Sequence, residues 1–169
     1  MNESDPKLKK SFAQFNKIVR ISLIAGILVI SGFLIFLITN PEPGYYTFSI
    51  LNEDQKMENY PTEASTGEPI NFYVAIDNKL GKDFTFNVKI LKGEYGITIL
   101  NETGSYNAVL NFTIGNYTIN NKQEWISPQL TISFFTPGEK IIIAELYEIK
   151  SIDKEEFLDI NFLRPNITA

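Results

Sequence analysis

Cysteine and histidine are both absent from the 169 residues of this chain. Without a thiol or an imidazole, the chain can form no disulfide, no thiolate nucleophile and no catalytic triad that depends on histidine, and most kinds of zinc site are excluded as well. A core of ordinary size needs no disulfide, so the lack of cysteine does not argue against an exported domain. These two absences narrow the possible chemistry more than any motif does.

Basic residues are scarce beyond the first twenty positions. Residues 1–20 hold five lysines and arginines against two acids, whereas the rest of the chain holds ten basic and eighteen acidic side chains. An acidic domain repels the phosphates of nucleic acids and of anionic lipids. We therefore expect no nucleic acid among the partners of the larger part.

Long apolar runs are limited to one. Ile21–Thr39 reads ISLIAGILVISGFLIFLIT, without a charge, and as a helix it covers roughly 30 Å, the thickness of a bilayer's hydrocarbon core. We predict a transmembrane signal-anchor helix over 18–40, after a tail over 1–17 and before a linker over 41–44. Since the first charge after the run is Glu42, the flanks predict a single-pass cell-membrane protein with a cytoplasmic N-terminus and an extracellular C-terminal domain. A cleaved signal peptide is the main alternative, although its apolar region would be shorter and would end in small residues.

Two finer patterns accompany this helix. In the tail, an apolar stripe is either a plain extension of the membrane helix or an amphipathic segment lying on the inner leaflet; its residues are Leu8, Phe12, Phe15 and Val19. Within the apolar run, Ser22, Gly26 and Gly32 are small, and we predict that they allow a second membrane helix to pack closely.

From Tyr45 onward, apolar and polar residues alternate, and turn residues recur every eight to twelve positions. Seven or eight short strands without a helix predict an all-β, immunoglobulin-like β-sandwich over 45–164. Two pairs of segments are predicted as antiparallel hairpins, namely Pro69–Asn78 with Asp83–Leu91, and Gln129–Phe135 with Lys140–Ile149. The other predicted strands are Tyr45–Leu51, Gly96–Leu100, Val109–Ile119 and Leu158–Leu163. Gly104 and Gly115 are expected to break the strand pattern in the region of the second and third.

Aromatic residues supply the expected large contacts of the core. We predict this role for Phe72, Phe84, Phe86, Trp125 and Phe134. In Asp83–Leu91 the alternation predicts that Phe84, Phe86, Val88 and Ile90 point inward and that Thr85, Asn87 and Lys89 point outward.

Asn-x-Ser/Thr sequons occur five times, none with proline in the middle position. Asn2 lies in the tail and should stay unmodified, whereas four lie on the side predicted to be outside. N-linked glycans are therefore a hypothesis for Asn101, Asn111, Asn116 and Asn166. The alternative is that these asparagines fill turns and strand edges.

Acidic side chains are plentiful, so a metal site or an acid/base pair has to be considered. The densest groups are Glu53-Asp54, Glu145/Glu148 and Asp153–Glu156. None has the spacing of a calcium loop, and no glycine-rich phosphate loop or Ser/Lys constellation accompanies them. We interpret them as solvated loops and expect no catalytic, metal or cofactor residue in this chain.

A series of short motifs resembles the extracytoplasmic domain of archaeal membrane proteins of the DUF1616 family, which typically show a "YPT…TVGE" stretch followed by "W…PGE". In this sequence they are Tyr60-Pro61-Thr62, Thr66-Gly67-Glu68-Pro69, Val74–Asn78, Phe84–Val88, Trp125, Thr136–Lys140 and Leu146-Tyr147. The chain departs from the family in having one membrane helix instead of several, and Lys79-Leu80 in place of a His-Glu pair. The resemblance implies an immunoglobulin-like fold, membrane anchoring and an archaeal source, and it brings no activity or site residues.

Three classes of function remain open at this stage. The first is a non-enzymatic, membrane-anchored glycoprotein that contacts other membrane or cell-surface proteins, as a structural or accessory subunit. The second is an extracytoplasmic module that binds a ligand or glycan on a concave patch. The third is an enzyme, which would need two carboxylates about 5 to 9.5 Å apart in a cleft.

Overall fold

The computed structural model describes residues 6–40, 43–151 and 154–169, with side chains described from Lys10 onward. Predictions that involve Asn2, Pro41, Glu42, Asp153 or the side chain of Leu8 lie outside these residues. The chain divides into two compact units, Met1–Pro43 and Gly44–Ala169.

The first unit is a single helix, α1, which runs from Pro6 to Thr39. It is continuous across the predicted boundary between the tail and the membrane helix. At its end, Thr39 Oγ1 donates to the carbonyl of Ile35 at 2.9 Å and Asn40 Nδ2 donates to that of Phe36 at 3.1 Å. The two side chains thus provide donors for carbonyl groups of the last turn, where further helical partners run out.

The second unit is built from strands, of which six are seven to fourteen residues long and six have three residues. They are β1 Tyr45–Leu51, β2 Glu63–Ser65, β3 Ile70–Lys79, β4 Phe84–Glu94, β5 Ile99–Asn101, β6 Gly104–Tyr106, β7 Val109–Ile119, β8 Glu124–Ile126, β9 Leu130–Ile132, β10 Gly138–Ser151, β11 Lys154–Leu163 and β12 Asn166–Thr168. The bounds of β1 and β7 agree with the predicted segments. The predicted break at Gly115 does not occur, because β7 runs through this residue.

Two sheets form a β-sandwich with an immunoglobulin-like strand order, which confirms the predicted fold class. One sheet has the order β1-β3-β8, with β9 also paired to β3. The other contains β10-β4-β7, with β11 on the far side of β10. If β1, β3, β4, β7, β8, β10 and β11 are lettered A, B, C, C′, E, F and G, these are the A-B-E and G-F-C-C′ sheets of immunoglobulin-like domains.

Both predicted hairpins are wrong as pairings. β3 pairs with β1, β8 and β9, whereas β4 pairs with β10 and β7 in the other sheet. Likewise β9 pairs with β3, and β10 pairs with β4 and β11. The two turns therefore cross from one sheet to the other. Alternation in sequence specifies which face of a strand is buried, but it does not specify the neighbouring strand.

The main core lies between the inner faces of the sheets. β3 contributes Phe72, Val74 and Ile76, β4 contributes Phe84, Phe86, Val88 and Ile90, and β10 contributes Ile142, Ala144 and Leu146. Phe134 is also buried there, and Trp125 is half-buried with its ring 5.0 Å from that of Phe86 in an edge-on arrangement. The predicted aromatic core is confirmed.

A second, smaller apolar cluster lies on the opposite face of the β10-β4 sheet. We call it the outer cluster; it consists of buried Leu91, Ile141 and Ile143 with half-buried Leu100, Ala108 and Ile160. The antiparallel hairpin of β5 and β6, which connects β4 to β7, supplies part of it. The face predicted to point to solvent is thus covered in part.

The sandwich continues past its predicted end at residue 164. β12 pairs in parallel with β2 and antiparallel with the start of β10. Ile167 in this strand is buried in the main core, so the compact unit extends to Ala169.

Candidate functional site

The four sequon asparagines of the sandwich are all exposed. Asn101 ends β5, Asn111 and Asn116 lie in β7, and Asn166 begins β12. Exposure is necessary for a glycan acceptor but leaves the modification itself as a prediction.

Asn111 and Asn116 occupy the two β-bulges of β7. Leu91 of β4 pairs with Leu110 and Ile90 pairs with Phe112, so Asn111 has no partner on β4. In the same way Phe86 pairs with Tyr117 and Asn87 pairs with Gly115, which leaves Asn116 outside the ladder. A bulged residue is released from cross-strand pairing and its side chain is re-aimed.

The backbone explains the residue types at the second bulge. Asn116 has φ of +60°, a left-handed conformation that asparagine tolerates better than most residues. At Gly115, a Cβ atom would lie 2.3 Å from the Cβ of Asn87 on β4, so only glycine fits at this position. The bulge is therefore specified by a Gly-Asn pair inside the strand.

The other two sequons lie in different settings. Oδ1 of Asn101 accepts hydrogen bonds from the backbone N–H of Thr103 at 2.9 Å and from its hydroxyl at 2.8 Å. This is a local Asx-type turn at an exposed residue. Asn166 is in a strand with partners on both sides, opposite Glu63 and Glu139. We accordingly expect Asn166 to be the poorest acceptor of the four.

The small residues of α1 are open to approach. A Cβ atom added at Gly26 or at Gly32 would meet no atom within 4 Å, and Ser22 is exposed. By length and composition, Lys10–Thr39 is able to span a membrane: its most apolar window has a mean hydropathy of 2.9, and none of that window is buried. A signal sequence near an N-terminus has the same properties.

Three of the acidic side chains singled out in the sequence are held in contacts within the sandwich. Glu148 pairs with Lys150, Glu156 lies 3.7 Å from the same lysine, and Glu53 accepts a hydrogen bond from Asn71 at 2.8 Å. Among the described residues, no group of three or more acidic side chains is arranged to hold a metal ion.

Glu145 differs from these, because it is buried at 3% exposure beneath the β5–β6 hairpin. Its Oε1 accepts a hydrogen bond from the backbone N–H of Ser105 at 2.5 Å, and its Oε2 accepts one from the hydroxyl of Tyr147 at 2.8 Å. Burial, together with this hydrogen bond and the charge of Glu145, raises the pKa of the Tyr147 phenol well above its usual value. The carboxylate of Glu145 on β10 thus links the hairpin to the sheet by a hydrogen bond.

A second polar group, centred on Glu155, lies next to Tyr147 on this outer face of the sheet. Glu155 accepts hydrogen bonds from Lys89 Nζ and from Asn87 Nδ2, both at 2.6 Å. The hydrogen bond from Lys89 is the main cause of a lowered pKa at the Glu155 carboxyl, with a further contribution from Asn87. Asn87 points outward as predicted, but it is buried rather than solvated.

An open groove of about 440 Å³ runs between the hairpin and β11. Its apolar lining includes Leu100, Phe157 and Ile160, and Glu102 and Asp159 add two acidic groups. We call it the outer groove. Sequence reasoning missed it, since it depends on the hairpin lying over the sheet. One signal was available: KIIIAEL, residues 140–146, is almost continuously apolar, as expected of a strand buried on both faces.

Comparisons with known proteins give no family. No family model matches the chain, and no curated protein matches it. The DUF1616 resemblance therefore stays a prediction.

Several solved structures are similar in part. A β-glucosidase from Erythrobacter marinus is 8% identical with a TM-score of 0.49, over 74% of this chain and 16% of that one. The CARDB domain of a Pyrococcus furiosus protein is 12% identical with a TM-score of 0.48, over 75% and 96%. Spo0M, a sporulation control protein from Bacillus subtilis, is 16% identical with a TM-score of 0.46, over 75% and 50%. This chain thus spans a sixth of the glucosidase and half of Spo0M. With identities and scores this low, none of the three lends it an activity.

Proposed function

We propose that this chain is a non-enzymatic, single-pass surface protein, anchored in the cell membrane by α1 and carrying its β-sandwich outside the cell. Its role is that of a structural or accessory subunit that contacts other membrane or cell-surface proteins. The observation that carries the proposal is α1, whose most apolar window has a mean hydropathy of 2.9 with none of it buried. A helix that exposes isoleucine, leucine and phenylalanine around its whole circumference is stable in lipid and not in water.

The charges flanking the helix support the orientation. Lysine and arginine are concentrated before the apolar run, and the cytoplasmic side of a membrane favours such residues. The four exposed sequons of the sandwich fit the same topology, and N-linked glycans on them belong to the proposal. Membership of the archaeal DUF1616 family, with an archaeal source, also belongs to the proposal and rests on the short motifs alone.

The non-enzymatic character is supported by the contacts of the carboxylates. Glu145 holds the hairpin, and Glu148, Glu155 and Glu156 lie in ion pairs with lysines. Side chains fixed in this way serve structure, and the chain offers no imidazole or thiol to work beside them.

The outer groove favours a second candidate function, an extracytoplasmic module that binds a ligand or glycan. Aromatic and acidic side chains in a concave surface are suited to stacking and hydrogen bonding with sugars. Titration of the purified protein with a panel of oligosaccharides tests it. Saturable binding that Phe157→Ala abolishes and Phe135→Ala leaves unchanged supports this candidate, and no binding by any member excludes glycans.

Topology is tested directly, because the natural chain lacks cysteine and single cysteines can be introduced without background. We choose Ser11→Cys in α1 and Thr136→Cys in the sandwich, both at exposed positions. On intact cells a membrane-impermeant maleimide should label Thr136→Cys only, and after permeabilisation it should label both. Labelling of Ser11→Cys on intact cells would contradict the orientation. Alkaline carbonate strips peripheral proteins from membranes and leaves integral proteins in place. Release of the Thr136→Cys protein from membranes by this treatment would contradict the anchor.

The role as a subunit is tested by cross-linking in native membranes followed by purification of the full chain. A partner captured in a fixed ratio supports the proposal. A matched variant, Ile30→Arg, places a charge in the apolar run at a cost of about 3 kcal/mol for insertion, and it should lose the membrane partner. A chain that is always recovered alone would count against the role.

A further inference from the structure

We infer that N-linked glycans on Asn111 and Asn116 cover the free edge of β7 and prevent this edge from pairing with a second copy of the chain. The inference rests on the glycosylation that forms part of the proposed function, and it assigns a purpose to two of the four sequons.

The β7 edge has few of the usual protections. β7 pairs with β4 on one side, and no other described strand pairs with it. Its eleven residues, VLNFTIGNYTI, include no charged residue and no proline. Val109 is 70% exposed, Leu110 53% and Tyr117 41%. A long, uncharged and apolar edge is a template for pairing with another chain.

The opposite edge of the same sheet shows the contrast. β11 carries Lys154, Glu155, Glu156 and Asp159 within ten residues. Side-chain hydrogen bonds also connect β11 to β1: the hydroxyl of Tyr46 donates to the carbonyl of Leu158 in β11 at 3.2 Å, and the amide of Asn161 donates to the carbonyl of Phe48 in β1 at 2.8 Å. Charges and side-chain hydrogen bonds therefore protect β11. In contrast, β7 carries no charge, and its described side-chain hydrogen bonds are one between Thr118 and Thr85 of β4 at 2.9 Å and one from Asn78 to the carbonyl of Ile119, its last residue, at 3.1 Å.

What β7 has instead are two bulges, and both sequon asparagines of the strand lie in them. A bulge interrupts the ladder and leaves the bulged residue unpaired. The two asparagines are five positions apart, which is about 17 Å along a strand. Only residues 112–115 lie between them, a stretch shorter than an average strand. Two bulky, hydrophilic glycans at this spacing would leave no uninterrupted length of edge for a partner strand.

The modification uses a polyprenyl phosphate-linked oligosaccharide as its donor. Nδ2 of the asparagine attacks the anomeric carbon and forms a C–N bond while the C–O bond to the phosphate breaks. The lipid phosphate leaves with the electron pair, and the amide gives up one proton to a base of the transferring enzyme. The acceptor must be exposed with its carboxamide free to turn, and exposed bulge positions meet this requirement.

The test uses the full chain purified from membranes of its native host. Thr113→Val with Thr118→Val removes both sequons but leaves both asparagines in place. Thr113→Ser with Thr118→Ser keeps both sequons and is the matched control. A third variant, Thr113→Lys with Thr118→Val, removes both sequons and adds a charge to the strand. Thermal unfolding checks that all three are folded, since Thr118 also hydrogen-bonds Thr85 at 2.9 Å.

Glycopeptide mass spectrometry and the molar mass of the protein in detergent are then measured. We expect sugars on Asn111 and Asn116 in the natural chain and in the Ser/Ser control, and a molar mass at least doubled in the Val/Val variant relative to that control. The Lys/Val variant should return to the mass of the control protein, because a charge on an edge opposes pairing.

A Val/Val variant that keeps the stoichiometry of the control would overturn the inference. Bare Asn111 and Asn116 in the natural chain would overturn it as well. The cysteine labelling described above separates this failure from failure of the proposed function, since Thr136→Cys reports an exposed sandwich whether or not these sequons carry sugar.

Discussion

The two faces of the β10-β4 sheet are made in different ways. On the inner face, Ile142, Ala144 and Leu146 belong to a core that draws on both sheets. On the outer face, Ile141 and Ile143 are covered by a hairpin inserted between β4 and β7, and the next residue in that row is Glu145. The inner face is thus closed by the fold as a whole, whereas the outer face is closed by one local insertion and one buried carboxylate.

This difference predicts two levels of stability in one domain. A core shared by two sheets opens only when the sandwich unfolds, but a short hairpin held by few contacts can open by itself. Substitutions on the two faces should therefore differ in the size and in the extent of their effects.

The largest effect is expected on the inner face. Phe86 is fully buried and its ring packs against Phe84 and Trp125. Phe86→Ala should lower the free energy of unfolding by about 3 to 5 kcal/mol, measured by urea unfolding of the full chain. Phe135→Ala, at a residue that is 75% exposed, is the control and should change stability little. Equal losses in the two variants would refute the assignment of the inner core.

A smaller and local effect is expected on the outer face. Glu145→Leu removes the acceptor for the Ser105 N–H and the Tyr147 hydroxyl. Leaving these two half-buried donors unpaired costs about 1 to 3 kcal/mol.

Hydrogen exchange locates this loss. In Glu145→Leu, exchange should speed up at the amides of 99–106 and stay slow in β3, while Glu102→Gln, at an exposed acid, should leave both unchanged. Faster exchange throughout β3 would show that the outer face does not open independently of the inner core.

The smallest effect is expected at alkaline pH. In the folded chain the pKa of Tyr147 is raised above the unfolded value near 10. The contribution of the neutral phenol is therefore fully present below pH 10 and is lost as the pH rises from there towards the folded pKa. Stability should fall in this range, by less than about 1 kcal/mol once solvent screening is allowed for.

Thermal unfolding at a series of pH values checks this effect. Tyr147→Phe should be less stable than the natural chain at neutral pH, but it should lose less stability between pH 9 and 11. Tyr106→Phe is the control and should lose as much stability in this range as the natural chain. If stability fell equally with rising pH in the natural chain and in Tyr147→Phe, the role of Tyr147 would be refuted.

The predictable part of the fold came from local patterns. The alternation in Asp83–Leu91 identified the inward residues of β4, and the bounds of β1 and β7 were predicted correctly. The pairing of β3 with β4 was predicted wrongly, because a short turn between alternating segments looks the same for a hairpin and for a crossing between sheets. The three-residue strands were missed for a related reason: β2 and β12 are strands only because each pairs with a distant segment.

The candidate sites divide in the same way. The sequons were visible as motifs, but their coincidence with the bulges of β7 was not, since a bulge is defined by the register against β4. The acidic pair Glu145/Glu148 was interpreted as solvated. In the structure its first member is buried, because the hairpin that covers it approaches from 40 residues earlier in the chain.

The sequence by itself determined the long apolar helix, the change to strands after Tyr45 and the inner faces of those strands, because each follows from hydrophobicity and periodicity along a short stretch. Tertiary structure alone decided which strands are neighbours, which edge is left free and which carboxylate is buried. These depend on contacts between residues far apart in sequence, and no local pattern encodes them. The protection proposed for β7 depends on both levels. The sequons are motifs of the sequence, but their asparagines lie in bulges only because of the register of β7 against β4.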